Sequence, residues 1–314
     1  MRPDASEDAA EAATLAAAEL YYEDQLSQQQ IADRPGISRS TVSRMLQTAR
    51  DQGIVHIEIR RPSPPAALAE QLRSALGLRR AVVVPASRRG GLQALVAPTL
   101  AEVERLELRP GDALAVSWGA TVWEIARSHR FPALAGVSVV PAIAAFDELD
   151  VRFQTNEIAR RVAHASGAQV SFLHSPALPS AELRRSLVAD PDVSGRIARW
   201  DHLAAALVGI GPPARDAQDG PAHVLAARGG LEDAAGDVVS RYFDLAGRPV
   251  PFAQEERLLG MSREQLRATG TVLAVAAGVA KGPSIVGAAR AGLVDVLVTD
   301  AATAAAALAV VAPA

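Results

Sequence analysis

The 314-residue chain contains no cysteine, so disulfide bridges, thiolate catalysis and cysteine-bound zinc are excluded. It also contains no long apolar run, because the most apolar late stretches are interrupted by Lys281, Asp295 and Asp300, and none is predicted to span a bilayer. The first residues are polar and acidic and show no signal-peptide pattern. These absences predict a cytoplasmic protein without a membrane partner.

Lysine is almost missing as well, since Lys281 is the only one and all other basic side chains are arginines. Hydrophobic residues nevertheless make up 49% of the chain, which predicts a packed globular protein with room for a small and a large domain. The net charge of −3 argues against non-specific coating of nucleic acid.

Charge is sorted along the first fifty residues. Seven acids and no base lie between Asp4 and Asp24, whereas four arginines and no acid lie between Arg34 and Arg50. A small basic face on an acidic protein is typical of site-specific DNA binding, where phosphate contacts position the protein and base contacts select the sequence. A patch of this size binds weakly alone, which predicts that two or more copies act together.

The segment from Ser27 to Leu46 predicts a helix-turn-helix. Ser27 and Ser38 each precede an apolar-periodic run and can cap a helix, and Gln30 completes a capping-box pattern with Ser27. Gly36 can take the positive φ that the turn needs. Ala32 is the small residue at the helix crossing, and Val42 and Met45 are the predicted core anchors of the second helix.

The outward face of that second helix is predicted to bind DNA, because hydroxyls and guanidiniums suit base edges and phosphates. Its candidate residues are Ser38, Arg39, Ser40, Thr41, Ser43 and Arg44. A helical hairpin in an ordinary core can show the same spacing. Two neighbours favour DNA binding: an amphipathic helix over 13–22, with Leu15, Ala18, Leu20 and Tyr22 on its packing side, and an alternating strand over 53–60. Residues 1–60 are therefore predicted to form a winged helix-turn-helix.

A proline-rich linker is predicted at 61–65, followed by a larger domain over 66–314. Short apolar runs alternate there with helical patterns, which predicts a mostly parallel sheet covered on both faces and an α/β fold class. The predicted strands are 81–84, 113–117, 137–140, 170–173, 203–210, 272–276 and 294–298. The predicted helices are 66–76, 92–106, 121–128, 156–165, 283–291 and 301–309.

Ligand-binding residues are expected just after the strands of such a sheet. Gly119 and Thr121 lie in a strand-to-helix turn whose amides suit a phosphate or polyol, although such turns are routine. Lys281 follows the 272–276 strand beside glycines, where it is either a solvated loop residue or a compact charge for a phosphate.

Other polar positions have two interpretations each. Asp237, beside a glycine in a predicted polar loop, can accept hydrogen bonds from sugar hydroxyls. Gln154 and Asn156 open a helix, as caps or as hydroxyl contacts, and the cap interpretation is favoured for Asn156. Asp244 is predicted to form a hairpin turn and Asp300 to cap the last helix. The six histidines lack metal spacing, so neither a metal nor another cofactor is predicted.

With these residues on view, the chain resembles the SorC family of bacterial sugar-responsive transcriptional regulators over nearly its whole length. The resemblance is carried by blocks at 16–22, 26–32, 36–44, 49–55, 116–119, 156–160, 207–211, 242–244 and 296–300. It implies a Rossmann-like effector domain related to sugar-phosphate isomerases, a tetrameric assembly, and a sugar or phosphosugar held by Ser117, Gly119, Thr121, Gln154, Asn156, Asp237 and Lys281. The chain departs from the family at Pro35, which is expected to shorten the first helix of the pair.

The leading hypothesis is therefore a transcriptional regulator, without catalytic residues, whose binding to double-stranded operator DNA is controlled by a sugar or phosphosugar. The alternative is a sugar-phosphate isomerase or aldolase-like enzyme that uses Lys281 as an amine and Asp237 as a base.

Overall fold

The computed structural model describes residues 5–34, 36–55, 64–86, 91–146, 150–213 and 230–312. They belong to two compact units, Met1–Pro62 and Ser63–Ala314, which are described separately.

The described part of the first unit contains three helices: α1 (Ala5–Tyr22), α2 (Gln28–Asp33) and α3 (Arg39–Asp51). The predicted capping box is present, since Ser27 Oγ accepts from the Gln30 amide at 3.3 Å and Gln30 Oε1 accepts from the Ser27 amide at 3.0 Å. Gly36 takes the predicted positive φ of 67°. These local signals set the start of α2 and the turn that leads into α3.

A small apolar core holds the three helices together. Its fully buried members come from all three helices: Ala18, Ile31, Ala32, Val42, Leu46 and Ala49. The prediction for Ala32 and Val42 is confirmed, but Met45 is only half-buried and Leu46, one position on, is the second anchor. Leu15 was also placed wrongly, because it is 46% exposed. Ile54 and Val55 pack at the edge of this core. Three predicted features lie outside the described residues: positions 56–60 of the wing strand, Pro35, and positions 61–63 of the linker.

The second unit is built on a seven-stranded parallel sheet, whose strands are β1 (Arg80–Val84), β2 (Ala113–Val116), β3 (Ser138–Pro141), β4 (Gln169–Val170), β5 (Ala205–Gly209), β8 (Thr271–Val275) and β9 (Val296–Asp300). Their order across the sheet is β1-β9-β8-β5-β2-β3-β4. Each strand predicted for this unit has a counterpart, but β4 shares only Val170 with the predicted strand 170–173, since the segment after Val170 is irregular. A separate antiparallel hairpin is formed by β6 (Gly236–Val238) and β7 (Arg241–Phe243).

The helices that the structure describes in this unit are α4 (Pro65–Leu76), α5 (Val96–Arg105), α6 (Ala120–Ala126), α7 (Thr155–Ser166), α8 (Ala181–Ala189), α9 (Pro191–Ile197), α10 (Arg263–Ala268), α11 (Gly282–Arg290) and α12 (Ala301–Val311). Helix α4 begins at Pro65, the last residue of the predicted linker, and a proline at the first helical position is well tolerated. All six predicted helices are present. Helices α8, α9 and α10 were not predicted.

Both faces of the sheet are buried, as the continuous apolar strands predicted. Along β2, Leu114 and Val116 pack into one core with residues of α5, α6 and α7, while Ala115 packs into the other core with residues of α4, α11 and α12. This alternation follows from the two-residue period of a strand. Among the described helices, none is both long enough and apolar enough to cross a membrane.

Candidate effector site and DNA-binding face

The sheet has a topological switch point between β2 and β5. The chain leaves β2 toward β3 and β4 on one side, and it leaves β5 toward β8 and β9 on the other side. In open parallel sheets, ligands bind at the carboxyl ends of the strands at such a point, because the two connections diverge and leave a crevice. The residues that follow β2, β5 and β8 are therefore the candidates for ligand contact.

The segment Gly209–Gly211, at the end of β5, contacts three of the predicted effector residues. The amide of Gly209 donates to Ser117 Oγ at 3.1 Å. The Lys281 ammonium donates to the carbonyl of Ile210 at 2.6 Å. The amide of Gly211 donates to the carbonyl of Asp237 at 2.9 Å. The structure thus gathers Ser117, Asp237 and Lys281 around one strand end.

Asp237 lies in strand β6 and is buried, so its predicted position in a polar loop is wrong. Burial raises the pKa of its carboxyl to about 6, while the hydrogen bond from the Ser240 amide (2.9 Å to Oδ2) and the charge of Lys281 act in the opposite direction. Asp237 Oδ1 lies directly against Gly211, where a methyl group would sit 1.8 Å from it. The carboxylate therefore fits only beside a residue without a side chain.

Lys281 ends a 3₁₀ segment, Val279–Lys281, that follows β8, as predicted from its strand-end position. Burial lowers the pKa of its ammonium and the charge of Asp237 raises it. An ammonium has three donors, and one of them serves Ile210. The pair of oppositely charged, partly desolvated groups at a strand end is typical of a ligand-binding site.

The loop after β2 is held in place by a backbone hydrogen bond of Gly119 and by packing of the Trp118 ring. Gly119, with φ of 119°, precedes α6 and donates its amide to the carbonyl of Arg152 at 2.8 Å. Thr121 is buried in the first turn of α6. The ring of Trp118 packs against Phe146 and Phe153 at centroid distances of 5.8 and 5.3 Å. The amide of Gly119 is thus occupied by protein, and a ligand contact there requires its other groups.

The remaining two predicted residues lie at the start of α7. Gln154 directly precedes the helix and makes no side-chain cap. The Asn156 amide exchanges two hydrogen bonds with the backbone of Leu173, at 3.0 and 3.1 Å. Its interpretation as a helix cap is therefore wrong, because it instead ties α7 to the segment after β4. A ligand contact by either residue stays a prediction.

The second helix of the helix-turn-helix presents a polar face. Arg39, Ser40, Ser43 and Arg44 are exposed, and Ser40 and Arg44 lie on the side of α3 opposite the buried Val42 and Leu46, while Thr41 is half-buried. Neither the Arg39 nor the Arg44 guanidinium makes a hydrogen bond or ion pair with any residue among those described, whereas Arg50 donates to Tyr22 Oη at 3.0 Å. Two exposed guanidiniums on α3, without a partner in the part of the chain that the structure describes, are suited to phosphates and guanine edges.

Ser38 has a defined structural role at the start of α3. Its hydroxyl accepts from the Thr41 amide at 3.1 Å and contacts the hydroxyls of Ser40 and Thr41 at 2.7 and 2.8 Å. The predicted cap is confirmed. The predicted DNA contact by this residue stays a prediction.

Two other minor predictions are also settled. Asp244 accepts from the amides of Ala246 and Arg248 in the predicted turn, and Asp300 caps α12 through the amide of Thr303. Within the described ranges, no group of three or more His, Asp or Glu side chains is arranged to hold a metal ion.

Sequence reasoning missed the residues that shape the site without being polar ligands. Gly211 accommodates Asp237, and Gly236 packs against Ser284 of α11, whose hydroxyl donates to the carbonyl of Ala235 at 2.7 Å. The signal for Gly211 was present in the Gly-Ile-Gly sequence that follows the β5 run. For Gly236 the packing partner is 48 positions away in sequence, so no local pattern could identify it.

Two family models match this chain. Residues 60–309 match the family described as "Putative sugar-binding domain", and residues 12–63 match the Crp-like helix-turn-helix domain. The sorbitol operon regulator of Klebsiella pneumoniae is 33% identical over 300 residues, which cover 91% of this chain and 94% of that protein. The chain belongs to the SorC family. The resemblance stated from sequence motifs is thereby confirmed.

A second relative agrees in length, and a solved structure agrees in fold. The deoxyribonucleoside regulator of Bacillus subtilis is 31% identical and covers 91% of this chain and 94% of its own length. The crystal structure of full-length SorC from Klebsiella pneumoniae matches with a TM-score of 0.71 and 31% identity, over 95% of this chain and 99% of that one. The helix-turn-helix unit followed by a larger α/β sugar-binding unit is therefore confirmed as the fold class.

The function follows from this membership. With its helix-turn-helix and sugar-binding domains, and with relatives named as regulators, this SorC-family chain is a sugar-responsive, DNA-binding transcriptional regulator. The relatives are regulators, so the enzyme alternative is not favoured.

Proposed function

We propose that the regulator binds its effector at the switch point between β2 and β5, with Asp237 and Lys281 as its principal contacts. The observation that carries this proposal is the convergence of Ser117, Asp237 and Lys281 on Gly209–Gly211. Asp237 accepts hydrogen bonds from sugar hydroxyls. Lys281 donates to a further hydroxyl or to a phosphate, for which its compact charge is suited. Thr121, Gly119, Gln154 and Asn156 complete the predicted contact set.

A thermal-shift screen tests the effector site. The panel includes D-sorbitol and 2-deoxyribose, which the names of two relatives suggest as starting points, together with phosphorylated hexoses and pentoses. A binding sugar raises the melting temperature by mass action, and Lys281→Ala should abolish that shift. The exposed Arg130→Ala variant is the control for loss of a cation. If no sugar stabilises the wild type, or if Lys281→Ala keeps the full shift, the proposed site is wrong.

The DNA-binding surface is proposed to be the face formed by Arg39, Ser40, Thr41, Ser43 and Arg44, with Ser38 at the N-terminus of α3. The exposure and lack of described partners of the two arginines support it. An operator fragment is first selected from random DNA with the wild-type protein. Arg39→Ala and Arg44→Ala should each weaken binding and reduce the slope of log affinity against log salt by about one for each phosphate that is no longer neutralised. Unchanged affinity and slope in both variants would contradict this assignment.

The regulator is further proposed to act as a homo-oligomer, a tetramer by family resemblance, and to be free of catalytic turnover. An effector can shift operator binding only if it binds two arrangements of the assembly with different affinity. Mass measurement in solution tests the assembly. Incubation with the phosphosugar panel tests turnover, and any product formed at a catalytic rate favours the enzyme alternative.

A further inference from the structure

The hairpin that carries Asp237 turns through two residues in the left-handed region. Val239 has φ of 53° and Ser240 has φ of 57°. A two-residue turn of this kind normally uses glycine, asparagine or aspartate, and a β-branched residue such as valine is disfavoured there. A strained turn persists only when the surrounding structure holds it in place.

A buried network of two arginines and one glutamate lies next to this turn. Arg241, the first residue of β7, donates to the carbonyls of Met261 (2.8 Å) and Gly260 (3.0 Å) and to Glu255 Oε1 (3.1 Å). The same Glu255 oxygen accepts from Arg263 at 2.5 Å, and Arg263 also donates to the carbonyl of Tyr242 at 2.9 Å. The Glu255 carboxylate therefore binds two guanidiniums: that of Arg241, a residue of β7, and that of Arg263, which donates to the next β7 residue, Tyr242.

The charges of this network depend on Glu255. The side chains of Arg241, Glu255 and Arg263 are only 9%, 12% and 14% exposed. Burial lowers the pKa of the Arg241 guanidinium, Glu255 and Glu264 raise it, and Arg263 lowers it. Without the Glu255 charge, two neighbouring buried cations lose their shared partner, which is strongly unfavourable.

The network reaches Asp237 through strand pairing. Tyr242 is the pairing partner of Asp237 in the hairpin, and Val238 pairs with Arg241. The Asp237 carboxylate in turn accepts from the amide of Ser240, inside the strained turn. A shift of β7 therefore moves the carboxylate relative to Lys281 and Gly211.

We propose that Glu255 is a positioning residue for the effector site: by holding Arg241 and Arg263, it keeps the β6–β7 hairpin in the strained turn that presents Asp237 beside Lys281. The effect of Glu255 on sugar binding rests on the proposed role of Asp237 in effector contact. The effect of Glu255 on the hairpin does not rest on that role, because the environment of the Asp237 carboxylate can be measured without a sugar.

The first test is therefore ligand-free. The Asp237 carboxyl is titrated by ¹³C NMR in the full-length protein, with Asp237→Asn used to assign its signal. In the wild type its midpoint is expected near 6, because the carboxyl is buried. In Glu255→Gln, which keeps an acceptor oxygen but removes the charge, the turn relaxes and water reaches the carboxyl. The midpoint should then fall toward the ordinary range, near 4. The adjacent, exposed Glu256→Gln is the matched control and should leave the midpoint unchanged.

The second test adds D-sorbitol and the phosphosugars of the screen as probes. Where a probe binds the wild type, Glu255→Gln should weaken it by roughly tenfold or more, since a misplaced contact loses most of its value. If no probe binds the wild type, the effector proposal fails while the titration still decides the role of Glu255. If Glu255→Gln does not fold, Arg263→Lys, which keeps the cation but removes the forked guanidinium that holds Tyr242, replaces it. A folded variant whose Asp237 midpoint equals that of the wild type overturns the inference.

Discussion

Replacing Gly211 with alanine should selectively damage the effector site. A Cβ at this position would lie 1.8 Å from Asp237 Oδ1 and 2.9 Å from its Cγ. Because ordinary contact begins near 3.4 Å, the carboxylate oxygen has to retreat by roughly 1.5 Å. No positive φ is involved at Gly211, so the effect comes from volume and not from backbone strain.

The magnitude follows from the hydrogen bond that this retreat disturbs. Asp237 Oδ2 accepts from the buried Ser240 amide at 2.9 Å, and a hydrogen bond to a charged group contributes about 1.5–3 kcal/mol. The loss of a similar hydrogen bond with a sugar hydroxyl weakens effector binding by roughly 10- to 100-fold. Overpacking should also lower the free energy of unfolding of the second unit by about 1–3 kcal/mol.

Calorimetric titration with a sugar found in the thermal-shift screen measures this effect. The control is Gly195→Ala in the exposed helix α9, where a new Cβ meets no atom within 4 Å. It should bind the sugar as the wild type does. If Gly211→Ala folds and keeps wild-type affinity, or if Gly195→Ala loses as much, the placement of Asp237 at the effector site is refuted.

Three further predictions concern both units. Burial raises the pKa of Asp237 from 3.8 to about 6, so the folded protein is destabilised as pH rises between these values, by about 3 kcal/mol above pH 6. Asp237→Asn should therefore raise the free energy of unfolding of the second unit, measured by urea unfolding, most above about pH 7 and hardly at all near pH 4. The exposed Glu104→Gln control should show no such trend. A gain in stability that does not depend on pH would contradict the burial of a charged Asp237. Ser27→Ala removes the capping box and should lower the stability of α2 by about 1 kcal/mol, measured as roughly fivefold faster hydrogen exchange of the α2 amides. Unchanged exchange would show that packing alone stabilises α2. Leu46→Ala should lower the free energy of unfolding of the first unit by about 2–4 kcal/mol. It should abolish operator binding while leaving the sugar-induced thermal shift in place. Intact DNA binding would show that Leu46 is not the anchor of α3.

Local chemistry explains which parts of the fold could be predicted. Ser27 and Gly36 specify a cap and a turn through groups only a few residues away, and both are as expected. The strand runs were equally readable, because a sheet covered on both faces makes every strand position apolar. The choice of Leu46 over Met45 is a matter of one residue in helical phase, which sequence spacing alone does not resolve.

The site was less predictable because it depends on contacts distant in sequence. The sequence around Asp237 predicts a loop, because the pairing of β6 with β7 and the contact of Asp237 with Gly211, 26 positions earlier, are not visible in the local pattern. The sequence around Asn156 predicts a cap, because its hydrogen-bond partner, the backbone of Leu173 in the segment after β4, is distant in sequence. Residue type and order were sufficient to place Lys281 at a strand end, but not to give it Ile210 as a partner.

The unique ammonium of Lys281, half-buried on the carbonyl of Ile210, makes the molecule unusually simple to label. Reductive methylation with ¹³C-formaldehyde modifies side-chain amines and keeps their charge, so this chain gains one labelled side chain, at the strand end itself. Its methyl signals then report on the electrostatic environment of that carbonyl as sugars, pH or operator DNA are varied. A regulator that uses arginine everywhere else thus contains a single side-chain reporter, distinguishable from the N-terminal amine by its environment, at the position where its ligand is expected.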